Sequence, residues 1–344
     1  MIMLIKLPIA RAAQRIAEKY KHPGSEWVLA FSGGKDSSAL LLSTIAALRS
    51  SECTNRTVTV VFCNTGVENP LLVEFVNLVF RRIRYLRETE ELPIRYAIVR
   101  PELRNMFWVK VIGRGCPPPT NRFRWCTDKL RVNPIRDFVR TWGLTEALTL
   151  TGIREEESQQ RKRTIERYAT QDEWGFRYYD ANQRQYFCPI LDYTVAEVWE
   201  LLRHRTLGYL NWSRHLERLY GYGNAGDNNS TEIRTGCWIC TVIRRDRSAE
   251  QLVCLGHDMF RHLKEYRDWL SVFRDDSNYR CSRRRNGMSG PGPLTLKGRK
   301  IILKRLIALQ GKVEIELITQ MEVNEIKRLW ALDEADPRYR RIAE

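Results

Sequence analysis

The sequence predicts a doubly wound α/β fold with a parallel sheet, followed by a mainly helical C-terminal region. Two observations carry this. Short β-branched runs alternate with amphipathic stretches through the first two-thirds of the chain, and the pattern after Met288 turns to helical periodicity. In chain order, strands are expected at 27–31, 58–63, 94–99 and 147–151. Helices are expected at 37–48, 71–85 and 195–204, the last opened by a Thr194/Glu197 capping box. Residues 100–130 break the alternation with Gly113, Gly115 and Cys116-Pro-Pro-Pro-Thr120, an irregular insertion of the kind that carries function. A second irregular zone covers 221–230. Thr295 can cap a helix over 296–310, and 315–332 holds further helical periodicity. The domain boundary is placed near Leu210, giving 1–210 and 211–344, with no internal repeat.

The chain has 344 residues, with 57 Lys and Arg against 41 Asp and Glu, a net charge of +16. At 43% hydrophobic residues, with 10 Trp, 14 Tyr and 11 Phe, it can build real cores, which excludes disorder for most of its length. No apolar run approaches the roughly 18 residues of a membrane span. The start, broken by Lys6, Pro8 and Arg11, lacks the h-region and cleavage site of a signal peptide. Nine scattered cysteines suit a reducing compartment, so a cytoplasmic location is expected.

Ser32-Gly-Gly-Lys-Asp-Ser37 stands directly after the first strand and before the first helix. Gly33 and Gly34 let the backbone approach a ligand, so loop amides and the helix N-terminus can face phosphate oxygens. Ser32 and Ser37 add hydroxyls, Lys35 a charge, and Asp36 a carboxylate for hydrated Mg²⁺ or a loop amide. The plain alternative is a well-capped strand-to-helix turn. The hexapeptide does not fit G-x-x-x-x-G-K-[ST], which disfavours a Walker-type ATPase. It resembles the PP-loop of ATP pyrophosphatases, Ser-Gly-Gly-x-Asp-Ser. That resemblance implies an adenine nucleotide α hydrolase-like fold of the HUP type and cleavage of ATP between its α and β phosphates. Lys35, Asp36, Ser37 and Arg154 would then be catalytic.

Asn64-Thr-Gly-Val-Glu68 follows the second expected strand, and Thr151-Gly-Ile-Arg154, with Arg161 beyond, follows the fourth. Carboxyl ends of strands are where open α/β sheets bind ligands, so Asn64, Thr65, Gly66, Gly152, Arg154 and Arg161 join the nucleotide site. Arginine suits bidentate phosphate contact, against the plain alternative of solvated surface charge. Cys188-Pro-Ile-Leu-Asp192 resembles a segment of the phosphoadenosine-phosphosulfate (PAPS) reductase branch. The Glu-Cys-Gly and Cys-Cys segments of PAPS and adenylylsulfate reductases are missing, which makes sulfonucleotide reduction the lesser reading.

Arg124-Trp-Cys-Thr-Asp-Lys-Leu130, Gly236-Cys-Trp-Ile-Cys-Thr241 and Gly292-Pro-Leu-Thr295 resemble the sulfurtransferase component of bacterial DNA phosphorothioation systems, the DndC/SspD type, the length favouring the SspD type. This resemblance implies a 4Fe-4S cluster on Cys126, Cys237, Cys240 and Cys254, with Cys116 and Cys281 as alternative fourth ligands. Zinc on the same thiolates is the competing reading. Cys53, Cys63 and Cys188 are assigned to packing. It also implies ATP and Mg²⁺ as cofactors, DNA as substrate in an antiphage restriction-modification setting, a cysteine desulfurase as sulfur donor, and other proteins of the same system as partners. Basic clusters at 81–87, 161–167, 244–247, 283–285, 297–305 and 338–341, several beside aromatic residues, suit a nucleic-acid backbone. The alternatives are a PAPS or adenylylsulfate reductase, a tRNA thiolase and a non-enzymatic, ATP-sensing DNA-binding subunit. Oligomeric state is left open.

Overall fold

The computed structural model describes residues 8–22, 24, 26–50, 56–157, 169–172, 175–179, 185–204, 212–220, 236–337 and 339. The chain divides into two compact units. The first comprises Met1–Cys63, Leu71–Val99 and Asp137–Leu219, and the second comprises Asn64–Pro70, Arg100–Arg136 and Tyr220–Glu344. The second unit therefore draws two segments from within residues 1–210. Leu210 itself lies outside the described residues.

The strands of the first unit are β1 (Trp27–Ala30), β2 (Val58–Cys63), β3 (Ile94–Val99), β4 (Leu148–Leu150), β5 (Ala169–Asp172), β6 (Gly175–Tyr179) and β7 (Gln185–Cys188). They form one sheet in the order β3-β2-β1-β4-β7-β6-β5. The five strands from β3 to β7 are parallel, whereas β6 runs antiparallel to both β7 and β5. β2 reads Val-Thr-Val-Val-Phe-Cys and is buried at every position, as a central parallel strand covered on both faces must be. Trp27 sits opposite Val58 on one side and Leu148 on the other. Its ring meets Tyr20 edge-on at 5.0 Å and Phe187 at 6.5 Å.

The first four strands match the sequence expectation to within a residue at either end. The β5–β7 ribbon was not expected, because its strands are short and partly polar. The Lys35–Ser50, Pro70–Thr89 and Val195–Arg203 helices stand where periodicity placed them, and the Thr194/Glu197 capping box forms. An additional helix, Pro8–Lys21, buries Ala12, Ile16 and Tyr20 at successive i+4 positions. Its Arg11 and Arg15 pair with Asp192, and Arg11 also with Glu197.

Strand order reverses beside β1. The chain winds outward through β2 and β3, then docks β4 on the opposite flank of β1. The carboxyl ends of β1 and β4 bound the crevice where such sheets take ligands.

The second unit packs the 100–136 insertion among four helices, Arg247–Cys254, Met259–Phe273, Leu296–Val313 and Gln320–Ala335. Regular α-helix gives way to wider turns at Val109–Gly113 and Asp128–Val132, consistent with the irregularity expected there. Trp108 donates its indole N–H to the Leu317 carbonyl at 2.8 Å, and Trp330 donates to Ile112 at 2.8 Å. Thr295 caps the Leu296–Val313 helix as predicted. Among the described residues, no helix is long and apolar enough to cross a membrane.

Candidate active site

In the first unit, the Ser32–Ser37 turn ends β1 and opens the Lys35–Ser50 helix. Gly33 has φ +74°, and a Cβ there would lie 2.8 Å from Val76 and 2.9 Å from Leu72, so only glycine fits. The turn is tied internally. Gly34 N–H donates to Ser32 Oγ at 3.3 Å, and Ser37 Oγ donates to the Gly34 carbonyl at 3.0 Å. Ser37 has one hydroxyl hydrogen, so the 3.1 Å contact between Ser32 and Ser37 is donated by Ser32. First-turn amides lie outside the helical ladder, and with the helix dipole they suit an anion.

Asp36 is the hub. Its Oδ1 accepts from Arg154 Nε at 2.6 Å and its Oδ2 from Lys35 Nζ at 2.9 Å. Arg154 is fully buried and also donates Nη1 to the Tyr193 carbonyl at 3.1 Å. Gly152 lies against the same turn, where a Cβ would come within 2.9 Å of the Asp36 backbone. β4 thus delivers both Gly152 and Arg154 onto the loop that follows β1. Arg154 is no solvated surface charge. It is a brace on Asp36, where the sequence reading gave it a phosphate contact. Asp36 has a cation on each oxygen, so the carboxylate as placed does not fit the role of a Mg²⁺ ligand.

The second unit holds Asn64, Thr65 and Gly66, the thiols and an acid the sequence reading quoted but did not assign. Asn64 Oδ1 accepts the Gly66 N–H at 2.9 Å, and Gly66 takes φ +81°. Thr65 donates to Glu68 Oε1 at 2.9 Å, and Arg131 grips both oxygens of Glu68 at 3.0 and 3.2 Å. The Glu68 side chain is wholly buried. The Glu68 and Cys237 backbones form a β-bridge, and Arg131 also reaches Cys237 Sγ at 3.8 Å. Burial pushes the Cys237 thiol up to about 12, with Glu68 adding and Arg131 opposing. Burial likewise raises Cys126, and Cys240 raises it further. Cys240 thus acts on both Cys126 and Cys237, raising each.

The other cysteines stand apart. Cys254 is exposed at the end of its helix. Cys116 is pushed up to about 11 by burial and shares the neighbourhood of Arg280 with Cys281. Among the described residues, no group of three or more His, Cys, Asp or Glu is arranged to hold a metal ion. The donor set as placed therefore fits neither a four-thiolate cluster nor a zinc cage. Cys63 and Cys188 are packing residues, as expected. Cys53, Arg161, Arg163, Arg167 and the 221–230 zone lie outside the described residues.

The residues that sequence reasoning missed are Glu68, Arg131 and the Tyr193 carbonyl. An acid and a basic residue 63 positions apart give no local signal of pairing, although Glu68 in the loop after a fully buried strand was a usable hint.

A family model described as the phosphoadenosine phosphosulfate reductase domain matches residues 26–243. Solved structures share low similarity. The PAPS reductase of Candida auris is 13% identical with a TM-score of 0.37, covering 63% of this chain and 87% of that one. The NH3-dependent NAD synthetase of Campylobacter jejuni is 16% identical at 0.36, covering 78% and 95%. The U34-tRNA thiolase NcsA of Methanococcus maripaludis, solved with its [4Fe-4S] cluster, is 11% identical at 0.40, covering 80% and 82%. An uncharacterised protein of Methanocaldococcus jannaschii is 33% identical over 142 residues, which are 41% of this chain and 25% of the relative. The chain thus matches about a quarter of the length of that curated relative. The domain match spans well over half of the chain and takes in both the Asp36 loop and the Arg154 segment, so the chain belongs to the phosphoadenosine phosphosulfate reductase domain family.

Proposed function

We propose that this chain is an ATP pyrophosphatase and sulfurtransferase that activates a DNA backbone phosphate for replacement of one oxygen by sulfur. The observation that carries the ATP half is the Asp36 hub. A carboxylate held by Arg154 and Lys35 orders the turn whose amides and hydroxyls would receive the phosphates. ATP enters as its magnesium complex. Lys35 exchanges the Asp36 carboxylate for phosphate oxygen, while Arg154 keeps Asp36 in place. A nonbridging DNA phosphate oxygen attacks the α-phosphorus and pyrophosphate leaves. Hydrosulfide-level sulfur then attacks the DNA phosphorus, and AMP departs with the displaced oxygen. A cysteine desulfurase with a reductant would supply that sulfur in a reducing cytoplasm, within a phosphorothioation system of further proteins.

The DNA half is supported by the cysteine-segment resemblance and by a charge of +16, more than a mononucleotide uses. The implied cluster takes no part in these steps, because the thiols do not form a cage.

Pyrophosphate release from ATP tests the first half. Ser37→Ala and Asp36→Ala should each lower it at least 100-fold, and parental rates in either variant sink the assignment. Phosphorothioate dinucleotides in nuclease-digested DNA test the second half. Thionucleosides in tRNA, or sulfite from a sulfonucleotide, would replace DNA as substrate, and bound but uncleaved ATP would make the chain a sensing subunit.

A further inference from the structure

Residues 277–313 contain ten Lys and Arg and not one Asp or Glu, in a chain whose net charge is +16. The structure gives that stretch a definite form. Residues 279–295 are an antiparallel ribbon, paired through Arg280 with Leu294 and Arg283 with Ser289, and closed at its base by Thr295 N–H to the Tyr279 carbonyl at 2.8 Å. Gly287, at φ +82°, turns the tip, and every residue from 282 to 289 is exposed. The ribbon leads directly into the Leu296–Val313 helix.

The basic residues divide by role. Arg285 is spent on bracing, reaching the Arg114 carbonyl at 2.7 Å and Asp333 at 3.2 Å. Arg299 is fully buried on Gly113, Asp333 and Tyr339. Arg283 and Arg284 stand on the exposed tip. Lys297, Lys300 and Lys304 are also exposed, recur at i, i+3 and i+7, and border one shallow depression floored by Leu296 and Ile301. Lys300 touches Glu334 at 3.5 Å, an exposed pair of little energetic weight.

We propose that the ribbon tip (Arg283, Arg284) and the lysine row (Lys297, Lys300, Lys304) form the surface that grips the phosphate backbone of duplex DNA. The inference rests on the DNA reading above and adds to it the place of contact. Seven helical residues span roughly 10 Å, and phosphates rise about 3.4 Å apart along one strand, so the row matches about three successive phosphates. The bracing arginines hold the ribbon on its own unit, which orders the tip before DNA arrives.

The test is an anisotropy titration of the full chain with a 20-base-pair duplex across a potassium chloride series. It compares the parent with K297E/K300E/K304E, the milder K297Q/K300Q/K304Q, and R283E/R284E. All five positions are exposed, so the variants should melt like the parent and bind Mg-ATP equally. Each lysine set should weaken duplex binding at least tenfold near 0.1 M salt and lower the log–log salt slope by about 2–3. The arginine pair should lower the slope by about 2. Parental binding and slope in all three variants overturn this surface while leaving the DNA reading standing. A parent chain that ignores duplex, or binds a tRNA transcript in its place, overturns the DNA reading and this surface together.

Discussion

Two sites in this molecule gather reactive side chains, and they are organised in opposite ways. Around Asp36 every charge has its complement. Arg154 sits on one carboxylate oxygen and Lys35 on the other, and the turn's hydroxyls close on its own backbone. Around Cys237 the complement belongs to a neighbour. The buried Glu68 has Thr65 and Arg131, whereas burial first, and then the neighbouring Cys240, keep the protons on Cys126 and Cys237. The first site is complete before a ligand arrives, so binding it is an exchange of partners. The second holds Cys126 and Cys237 as neutral thiols, which a soft electrophile or metal must deprotonate before it can bind.

The largest expected effect breaks the completed site. Arg154→Ala removes a fully buried cation and leaves Asp36 with Lys35 alone. Breaking one partner of such a pair costs about 3–5 kcal/mol, read in urea unfolding, and pyrophosphate release should fall at least 100-fold. Arg154→Lys should restore little, because one ammonium cannot serve both the Asp36 carboxylate and the Tyr193 carbonyl in the guanidinium's geometry. A brace acting through Asp36 lowers kcat, and its loss should be far from additive with Asp36→Asn. A raised KM with unchanged kcat, additive with Asp36→Asn, would return Arg154 to direct phosphate contact.

A middling effect sharpens the other side. In protein purified without oxygen, any iron or zinc retained should depend on Cys126, Cys237 and Cys240. A serine at any of the three should cut bound metal by more than half, while ATP binding by the loop is unchanged. Cys254→Ser should leave metal content alone, since that thiol is exposed at a helix end. Metal lost on Cys254→Ser would bring the fourth thiol into the site and end the contrast between the two sites.

The two sites also differ in how far the sequence foretold them. The Asp36 loop is six contiguous residues between a strand and a helix, and a local motif reports local geometry. Arg154 was picked out for its charge, but its bond to Asp36 was not foreseen, because nothing within a helical turn of it reveals a partner 118 residues away. The Cys237/Cys240 pair was visible for the same local reason as the loop. Glu68 and Arg131 were not, since an ion pair built from two loops has no period. The parallel core was legible in β2, where burial on both faces demands an unbroken apolar run. The β5–β7 ribbon was not, because short, partly polar strands at a sheet edge carry neither a run nor an alternation. The 100–130 segment read correctly as irregular, yet its place among the C-terminal helices depends on indole and guanidinium contacts to carbonyls about 200 residues away.

The smallest effect uses a thiol with no charged partner as the reference for both sites. Cys188 closes β7 with 1% exposure, and burial alone pushes its thiol up to about 12 from an ordinary 9.0. The unfolded chain releases this proton near pH 9, whereas the folded chain holds it to about 12. The stabilisation is therefore complete below pH 9 and declines as pH rises toward 12. Between pH 8 and pH 10 the decline is about 1 kcal/mol. Cys188→Ala carries no such proton, so the stability gap between parent and variant, read by urea unfolding under reductant, should shrink by that amount over the interval. Other groups titrating there cancel in the difference. A gap that stays constant from pH 8 to pH 10 would mean that the thiol ionises alike in both states. In that event burial would not explain its raised value, and the account of Cys237, which adds Glu68 and Arg131 to the same burial, would lose its baseline.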